Sequence, residues 1–305
     1  MSARKFEQRV LNVIKRNRLW TDGDIVTLAV SGGVDSMVML DILHKTARSH
    51  KGKIQVVTFD HGFRIESAEE VRFVESVCHK LSIPCIIHAL NLVDGPNKQE
   101  RARQARRSFL YMQDGLIATA HHASDQAETI LFRMLRGSGL DGLKGMCVQS
   151  GRWLKPLLME FKEDILNYAN ERRLEWREDS SNTASTRGVI RQLWSEMAVV
   201  HPKPEKSMFS VARMLSRDAE YLDSLAVDAL HSVLDDNQVF VDNLRELHPA
   251  IQSRVLRRWL WNNKIDVSGQ QIEMLLKWTP SRNGALFQLQ SSVYIKQFTG
   301  RWLLC

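Results

Sequence analysis

Short apolar runs rich in β-branched residues recur along the first half of the chain, at 24–30 (DIVTLAV), 53–60 (KIQVVTFD), 84–90 (PCIIHAL) and 115–120 (GLIATA). Each is too short for a stable helix and reads as a buried strand. Between them the pattern changes to a helical period: from the Ser31-Gly32-Gly33 turn through His44, then over 66–81, 97–114 and 124–136. Strands alternating with helices predict βαβ units with right-handed crossovers. The fold expected is α/β, a mostly parallel sheet with helices on both faces. In such sheets ligands sit beyond the carboxyl ends of the strands.

The pattern changes again near residue 195. His201-Pro202-Lys203-Pro204 interrupts the helical signal and marks a linker. It predicts a first domain over 1–203 and a smaller, mainly helical one over 204–305. In the second, 208–234 has a helical period. A helix over 249–263 places Ile251, Val255, Leu256, Trp259 and Leu260 on one face, with Arg254, Arg257 and Arg258 elsewhere around it. Two short alternating runs within 285–305 predict a C-terminal hairpin. No internal repeat and no low-complexity segment is present.

Composition narrows the class. Of 305 residues, 44% are hydrophobic and 25% charged, which excludes a disordered or collagen-like chain. No apolar run approaches the ~20 residues of a membrane helix, so no membrane partner is expected. The first twenty residues are charged and amphipathic and lack the apolar centre of a signal peptide. Glu7 and the unbroken helical pattern favour an ordinary first helix over an organellar presequence. Cys78, Cys85, Cys147 and Cys305 form no CxxC and no metal spacing. Without an export signal they read as reduced thiols of a cytoplasmic protein. The formal charge of +7 suits a polyanion such as nucleic acid, although a solvated basic surface gives the same sum.

The strongest local signal is Ser31-Gly32-Gly33-Val34-Asp35-Ser36 between a strand and a helix. Glycines allow a tight turn and close approach of a ligand, and free amides at a helix start attract phosphate. Asp35 would repel that phosphate unless a magnesium ion bridged the two. The alternative is a plain βα turn with Asp35 in the first helical turn. The loop is not a Walker sequence, because no Lys follows the second Gly. Asp125 and Glu128, three apart at a helix start, could grip an ammonium group or could form an Asp-x-x-Glu capping box. His121 and His122 lack zinc-like company. Arg101, Arg103, Arg106 and Arg107 make a basic helix that is either a solvated face or an anion contact. Arg136-Gly137 could be a simple helix C-cap, and Arg187 and Arg191 are either surface charges or phosphate contacts.

The ordered set is more specific than its parts. SGGVDS is the pyrophosphate-loop signature of N-type ATP pyrophosphatases. Asp60-His61-Gly62-Phe63-Arg64 with Glu66-Ser67, then Glu100, Arg103 and Arg106, then residues 121–129 (HHASDQAET), 136–143 (RGSGLDGL) and 178–182 (EDSSN) follow in order. Over about residues 20 to 195 the chain closely resembles the tRNA(Ile)-lysidine synthetase family, and more loosely beyond. The resemblance is to the short form of the family, which is expected to do without the additional C-terminal domain of longer members.

The resemblance implies a PP-loop fold of the adenine nucleotide alpha hydrolase type and a ligase that forms a carbon–nitrogen bond. Such an enzyme uses ATP to adenylate C2 of cytidine 34 in the CAU anticodon of an isoleucine tRNA. The lysine ε-amino group then displaces AMP to give lysidine. ATP is the co-substrate and Mg2+ the implied metal. Ser31, Gly32, Gly33, Val34, Asp35 and Ser36 would hold the nucleotide, with Asp35 the metal ligand. Asp35, Arg103 and Asp125 are the implied catalytic residues; Arg103, Asp125 and Glu128 would bind L-lysine. Arg136, Arg187, Arg191, Arg254, Arg257 and Arg258 would contact tRNA. A homodimer is compatible with the sequence. Three departures from the family pattern stand out: Ser124 where many members have Asp, Arg107-Ser108 for Arg-Tyr, and Gly188 where Asn commonly follows Arg. A cytidine thiolase would need cysteines for sulfur transfer or an iron–sulfur cluster, and no CxxC is present. A non-catalytic RNA-binding relative is disfavoured by the intact loop. A glutamine-using synthetase is disfavoured because no Cys lies near the N-terminus and no glutaminase-sized domain is present.

Overall fold

A computed structural model describes residues 2–50, 52–60, 65–90, 95, 98–177 and 186–305; the side chains at 49, 50, 65–67, 186, 187 and 191 fall outside that description. His61–Arg64, Asn97 and 178–182 of the motifs above, with the side chains of Glu66, Ser67, Arg187 and Arg191, therefore lie outside the described residues. The chain forms two compact units. One comprises Met1–Phe132 and Gly145–Ser210, the other Arg133–Lys144 and Val211–Cys305.

The first unit begins with helix α1 (Ala3–Arg16) and continues β1 (Ile25–Ala29), α2 (Val34–His50), β2 (Lys53–Asp60), α3 (Ile65–Leu81), β3 (Cys85–Ala89), α4 (Lys98–Tyr111), β4 (Leu116–Ala118) and α5 (Ala123–Leu135). After the short α6 (Leu140–Leu143) of the other unit come β5 (Gln149–Ser150), β6 (Trp153–Leu154), α7 (Lys162–Glu171) and α8 (Thr186–Met197). The sheet order is β3-β2-β1-β4-β6-β5. All pairs are parallel except β5 with β6. The strands are buried on both sides because alternate residues face different helices. Val26, Leu28 and Val56 pack into a core with α1, α2, α3 and α7. Val57 and Ile117 face a second cluster with Leu110 of α4.

Strand order reverses between β1 and β4: the chain moves outward through β2 and β3, then returns to the other side of β1. Such a switch point splays the two following loops apart and opens a crevice at the strands' carboxyl ends. Here the two loops are Ser31–Gly33 and Thr119–His122.

An ionic and hydrogen-bonded cluster docks α1. Tyr168 donates its hydroxyl to Glu7 at 2.7 Å and lies 2.5 Å from Asp41, while Lys45 and Arg172 reach Glu7 at 2.9 and 2.6 Å. Burial alone would raise the Glu7 carboxyl, but the bonds from Tyr168, Lys45 and Arg172 outweigh it and hold the pKa below the ordinary value. A depressed folded-state pKa stabilises the fold above the unfolded-state pKa, and that share is lost as pH falls through the folded value. Glu7→Gln is therefore expected to flatten the acid limb of a urea-unfolding series while lowering stability at pH 7.

In the second unit, Pro204 opens α9 (Pro204–Val233), a position where a missing amide leaves no bond unmade. The helix runs from the first unit into the second. There follow β7 (Leu234–Asp235), β8 (Gln238–Phe240), α10 (Val241–Glu246), α11 (Pro249–Asn262), α12 (Gly269–Lys277), β9 (Leu286–Gln290), β10 (Val293–Phe298) and β11 (Arg301–Leu304). The apolar face expected on α11 is buried as read. The C-terminal hairpin β9–β10 is present, but β11 and the short β7 and β8 extend it into a five-stranded antiparallel sheet, β7-β8-β11-β10-β9. Strands of two and three residues are too short to show an alternation. Residues 133–144 pack with this unit although they lie far earlier in the chain. No helix among the described residues is long and apolar enough to cross a membrane.

Candidate active site

The loop after β1 has its own internal scaffold. Gly33 caps α2, its carbonyl accepting from Met37 N–H at 3.0 Å. Ser36 donates its hydroxyl to the same carbonyl at 2.8 Å and accepts Ser31 N–H at 3.2 Å. These bonds close Ser31–Ser36 into a ring and leave the first-turn amides of α2 for a ligand. Gly32 has φ +86°, and a Cβ there would lie 3.4 Å from Val74 Cγ2. Its left-handed backbone favours glycine, while a Cβ would meet α3 only at ordinary contact distance. Beside Gly33 a Cβ would meet only Ser31 Oγ, at 3.6 Å, so the space over the loop is free of protein. Val34 is buried in the core and offers only its backbone to a nucleotide.

The opposite wall comes from the start of α5. His122 caps that helix: its carbonyl accepts Gln126 N–H, and its Nδ1 accepts Asp125 N–H at 3.3 Å. Asp125 answers by accepting His122 N–H at 3.0 Å. The capping pair is thus His122 with Asp125, three positions earlier than the Asp125–Glu128 pair considered from the sequence. With Nδ1 accepting, the ring proton sits on Nε2, which lies 3.7 Å from Asp35 Oδ1 and 3.6 Å from Asp125 Oδ2. One imidazole therefore stands between the carboxylate of each loop. Glu128, one turn on, is only 4% exposed. His121 instead pairs with Thr119, at 2.9 Å.

Sequence reasoning missed Lys162. Its Nζ lies 2.7 and 2.8 Å from the two oxygens of Asp35. Two bonds bring it there: Ala123 N–H to Glu160 O at 2.8 Å, and Lys162 N–H to Ser124 Oγ at 3.3 Å. Ser124, a departure from the family pattern, thereby anchors the start of α7. Glu160, fully buried, is itself held by Arg9 of α1. One local signal existed: Lys162 is the first residue of a helix, where a cation opposes the dipole.

The remaining sequence-selected residues are dispersed. Arg103 is exposed on α4; Arg106 is half-buried there, its pKa lowered by burial and by Arg103. Arg136 is exposed at the end of α5, where Gly137 (φ +70°) and the bond from Ser138 N–H to Arg133 O form a C-cap. Arg254 and Arg257 of α11 clamp Asp141 at 2.8 and 3.1 Å, and Arg254 also lies 3.1 Å from Asp223. At 10% side-chain exposure Arg254 is a structural ion-pair partner rather than a free phosphate contact. Arg254→Met is expected to destabilise the second unit by about 1–2 kcal/mol, less than for a fully buried pair because both carboxylates are partly solvated. The check is a lower melting temperature with an unaltered salt slope of RNA binding.

Among the described residues no group of three His, Cys, Asp or Glu side chains is placed to hold a metal ion. Asp35 supplies one hard oxygen ligand beside the open loop. That fits Mg2+, which commonly takes one or two carboxylates and completes its shell with phosphate oxygens and water.

A model of the PP-loop domain matches residues 2–197, and one of the TilS substrate binding domain matches residues 241–300. The chain is 34% identical over 248 residues to a tRNA(Ile)-lysidine synthase of Nitrosomonas europaea, covering 77% of this chain and 54% of that protein. It is 30% identical over 300 residues to the tRNA(Ile)-lysidine synthase of Bacillus subtilis, covering 88% and 62%. It thus spans a little over half the length of these curated relatives. Among solved structures, the U34-tRNA thiolase NcsA from Methanococcus maripaludis superposes with a TM-score of 0.60 at 18% identity, over 70% of this chain and 78% of that one, a likeness of fold. With the first match covering more than half of its length, the chain belongs to the PP-loop domain family.

Proposed function

We propose that the chain is a tRNA(Ile)-lysidine synthetase acting in the cytoplasm. It adenylates C2 of cytidine 34 in the CAU anticodon with ATP, releasing pyrophosphate, and joins L-lysine to that carbon with loss of AMP. The observation that carries the reading is the pairing of an open, amide-lined loop with a carboxylate wall across one sheet switch point. The first suits a polyphosphate and the second an ammonium group. The names of the relatives and the TilS substrate binding domain match support the same reading.

In this reading the amides at the start of α2 hold the β- and γ-phosphates, with the dipole of α2 behind them. Asp35 would hold Mg2+, whose positive charge would offset that on the phosphates. Lys162 keeps Asp35 oriented and adds a cation at the same edge. The cytidine O2 attacks the α-phosphorus, and its bond to the β-phosphate bridging oxygen breaks. Asp125 and Glu128 receive the lysine side chain, and Asp125 takes the proton that the ammonium loses. Arg103 holds the lysine carboxylate. The free amine then attacks C2, and AMP leaves with the former O2. Arg136, Arg187, Arg191, Arg257 and Arg258 are the tRNA contacts of the proposal.

The test is mass analysis of a C34-containing isoleucine tRNA transcript after incubation with ATP, Mg2+ and lysine. The expected product carries one lysine less one water, with one pyrophosphate released per nucleoside. Unchanged mass with no pyrophosphate release overturns the reading.

A further inference from the structure

Helix α11 carries Arg254, Arg257, Arg258 and Trp261 at spacings of three and four, which places them along neighbouring positions of one helix surface. Arg254 and Arg257 both pair with Asp141, Arg254 nearly buried and Arg257 with part of its side chain still in water. Arg258 forms no ion pair among the described residues. Trp261 follows one turn later and is 71% exposed, whereas Trp259 of the same helix is fully buried and donates its indole N–H to Asn237 O at 3.0 Å. The helix thus has one tryptophan for its core and another that lies mostly in water. Lys264, just past the helix end at φ +62°, is exposed and also without an ion pair among the described residues.

An exposed indole contributes little to folding, because most of its surface remains in water. Its setting decides what could cover it. A protein partner with an apolar face would meet Arg258, exposed Asn262 and Lys264 around the ring, and would bury cations without partners. A nucleotide meets the same group favourably: its base lies on the indole face and its phosphates reach the cations. Trp261, Arg258 and Lys264 also fall within the stretch that matches the TilS substrate binding domain.

We infer that Trp261 is a stacking platform for an unpaired nucleotide of the tRNA, with Arg258 and Lys264 on the flanking phosphates. This rests on the tRNA reading above and adds the residues by which the second unit holds its RNA. Stacking is insensitive to salt, whereas phosphate contacts release counterions.

Full-length wild type, Trp261→Ala, Trp261→Phe and Arg258→Gln are titrated with the C34-containing isoleucine tRNA transcript at several salt concentrations, alongside thermal unfolding. Trp261→Ala should bind roughly tenfold or more weakly with an unchanged salt slope. Trp261→Phe should stay within about threefold, because any aromatic face can stack. Arg258→Gln should reduce the slope by about one phosphate contact. If wild type binds and Trp261→Ala binds equally, the platform is wrong while the tRNA reading stands. If Trp261→Ala binds weakly but also melts earlier and Phe fails to rescue it, Trp261 holds the helix and the inference falls. If wild type itself does not bind this tRNA, the tRNA reading fails first.

Discussion

Asp35→Ala is expected to slow tRNA-dependent pyrophosphate release roughly 30- to 1000-fold, about 2–4 kcal/mol of transition-state stabilisation. Asp35 sits at the first turn of α2, beside the amides that would receive the phosphates, and its carboxylate is gripped by Lys162. Removing it takes away the carboxylate that Lys162 holds beside the loop and leaves that lysine without this partner. A double-mutant cycle with Lys162→Met separates two roles for the lysine. If Lys162 acts only by holding Asp35, the second substitution adds little in the Asp35→Ala background. If it contacts the polyphosphate itself, the two losses add. Near-normal turnover of Asp35→Ala would remove Asp35 from the mechanism.

Glu128→Gln is expected to raise the KM for lysine roughly 10- to 150-fold, about 1.5–3 kcal/mol for a lost charge-assisted bond, with pyrophosphate release largely preserved. Glu128 is the sharper probe of the pair. Asp125 accepts the backbone amide of His122, so its loss also removes a helix cap, an effect of about 1 kcal/mol on stability. The amide of glutamine keeps the shape of Glu128 in its buried position and removes only the charge. An unchanged lysine KM together with a lower melting temperature would make Glu128 structural.

The units also bear on how the second half can be tested. A chain cut after residue 203 keeps residues 133–144 but loses the body they pack with. Its loss of tRNA affinity could then reflect a disturbed segment rather than missing contacts. Point substitutions on α11 avoid that ambiguity.

Much of the architecture was legible because it depends on local periodicity. The strand over 53–60 coincides with β2, and the buried face of α11 is the one its period selects. The SGGVDS turn and the Asp125 turn could be placed at strand ends because sequence order and the βαβ rule suffice for that. The second sheet was only partly legible: β7 and β8 pair through backbone bonds and leave no pattern in two or three residues.

The sequence by itself determined the alternating fold, the loop that can cradle phosphate, and the pair Asp125 and Glu128 on one helix turn. All of these follow from spacings of a few residues, which a linear pattern records. The tertiary structure decided the rest. Lys162 meets Asp35 across 127 positions, Arg9 meets Glu160 across 151, and Asp141 meets Arg254 across 113. Only the packed chain brings such groups together, because an ion pair needs proximity in space and leaves no spacing rule behind. The same packing turned Arg254 from a surface cation into an internal partner and left Trp261 facing water.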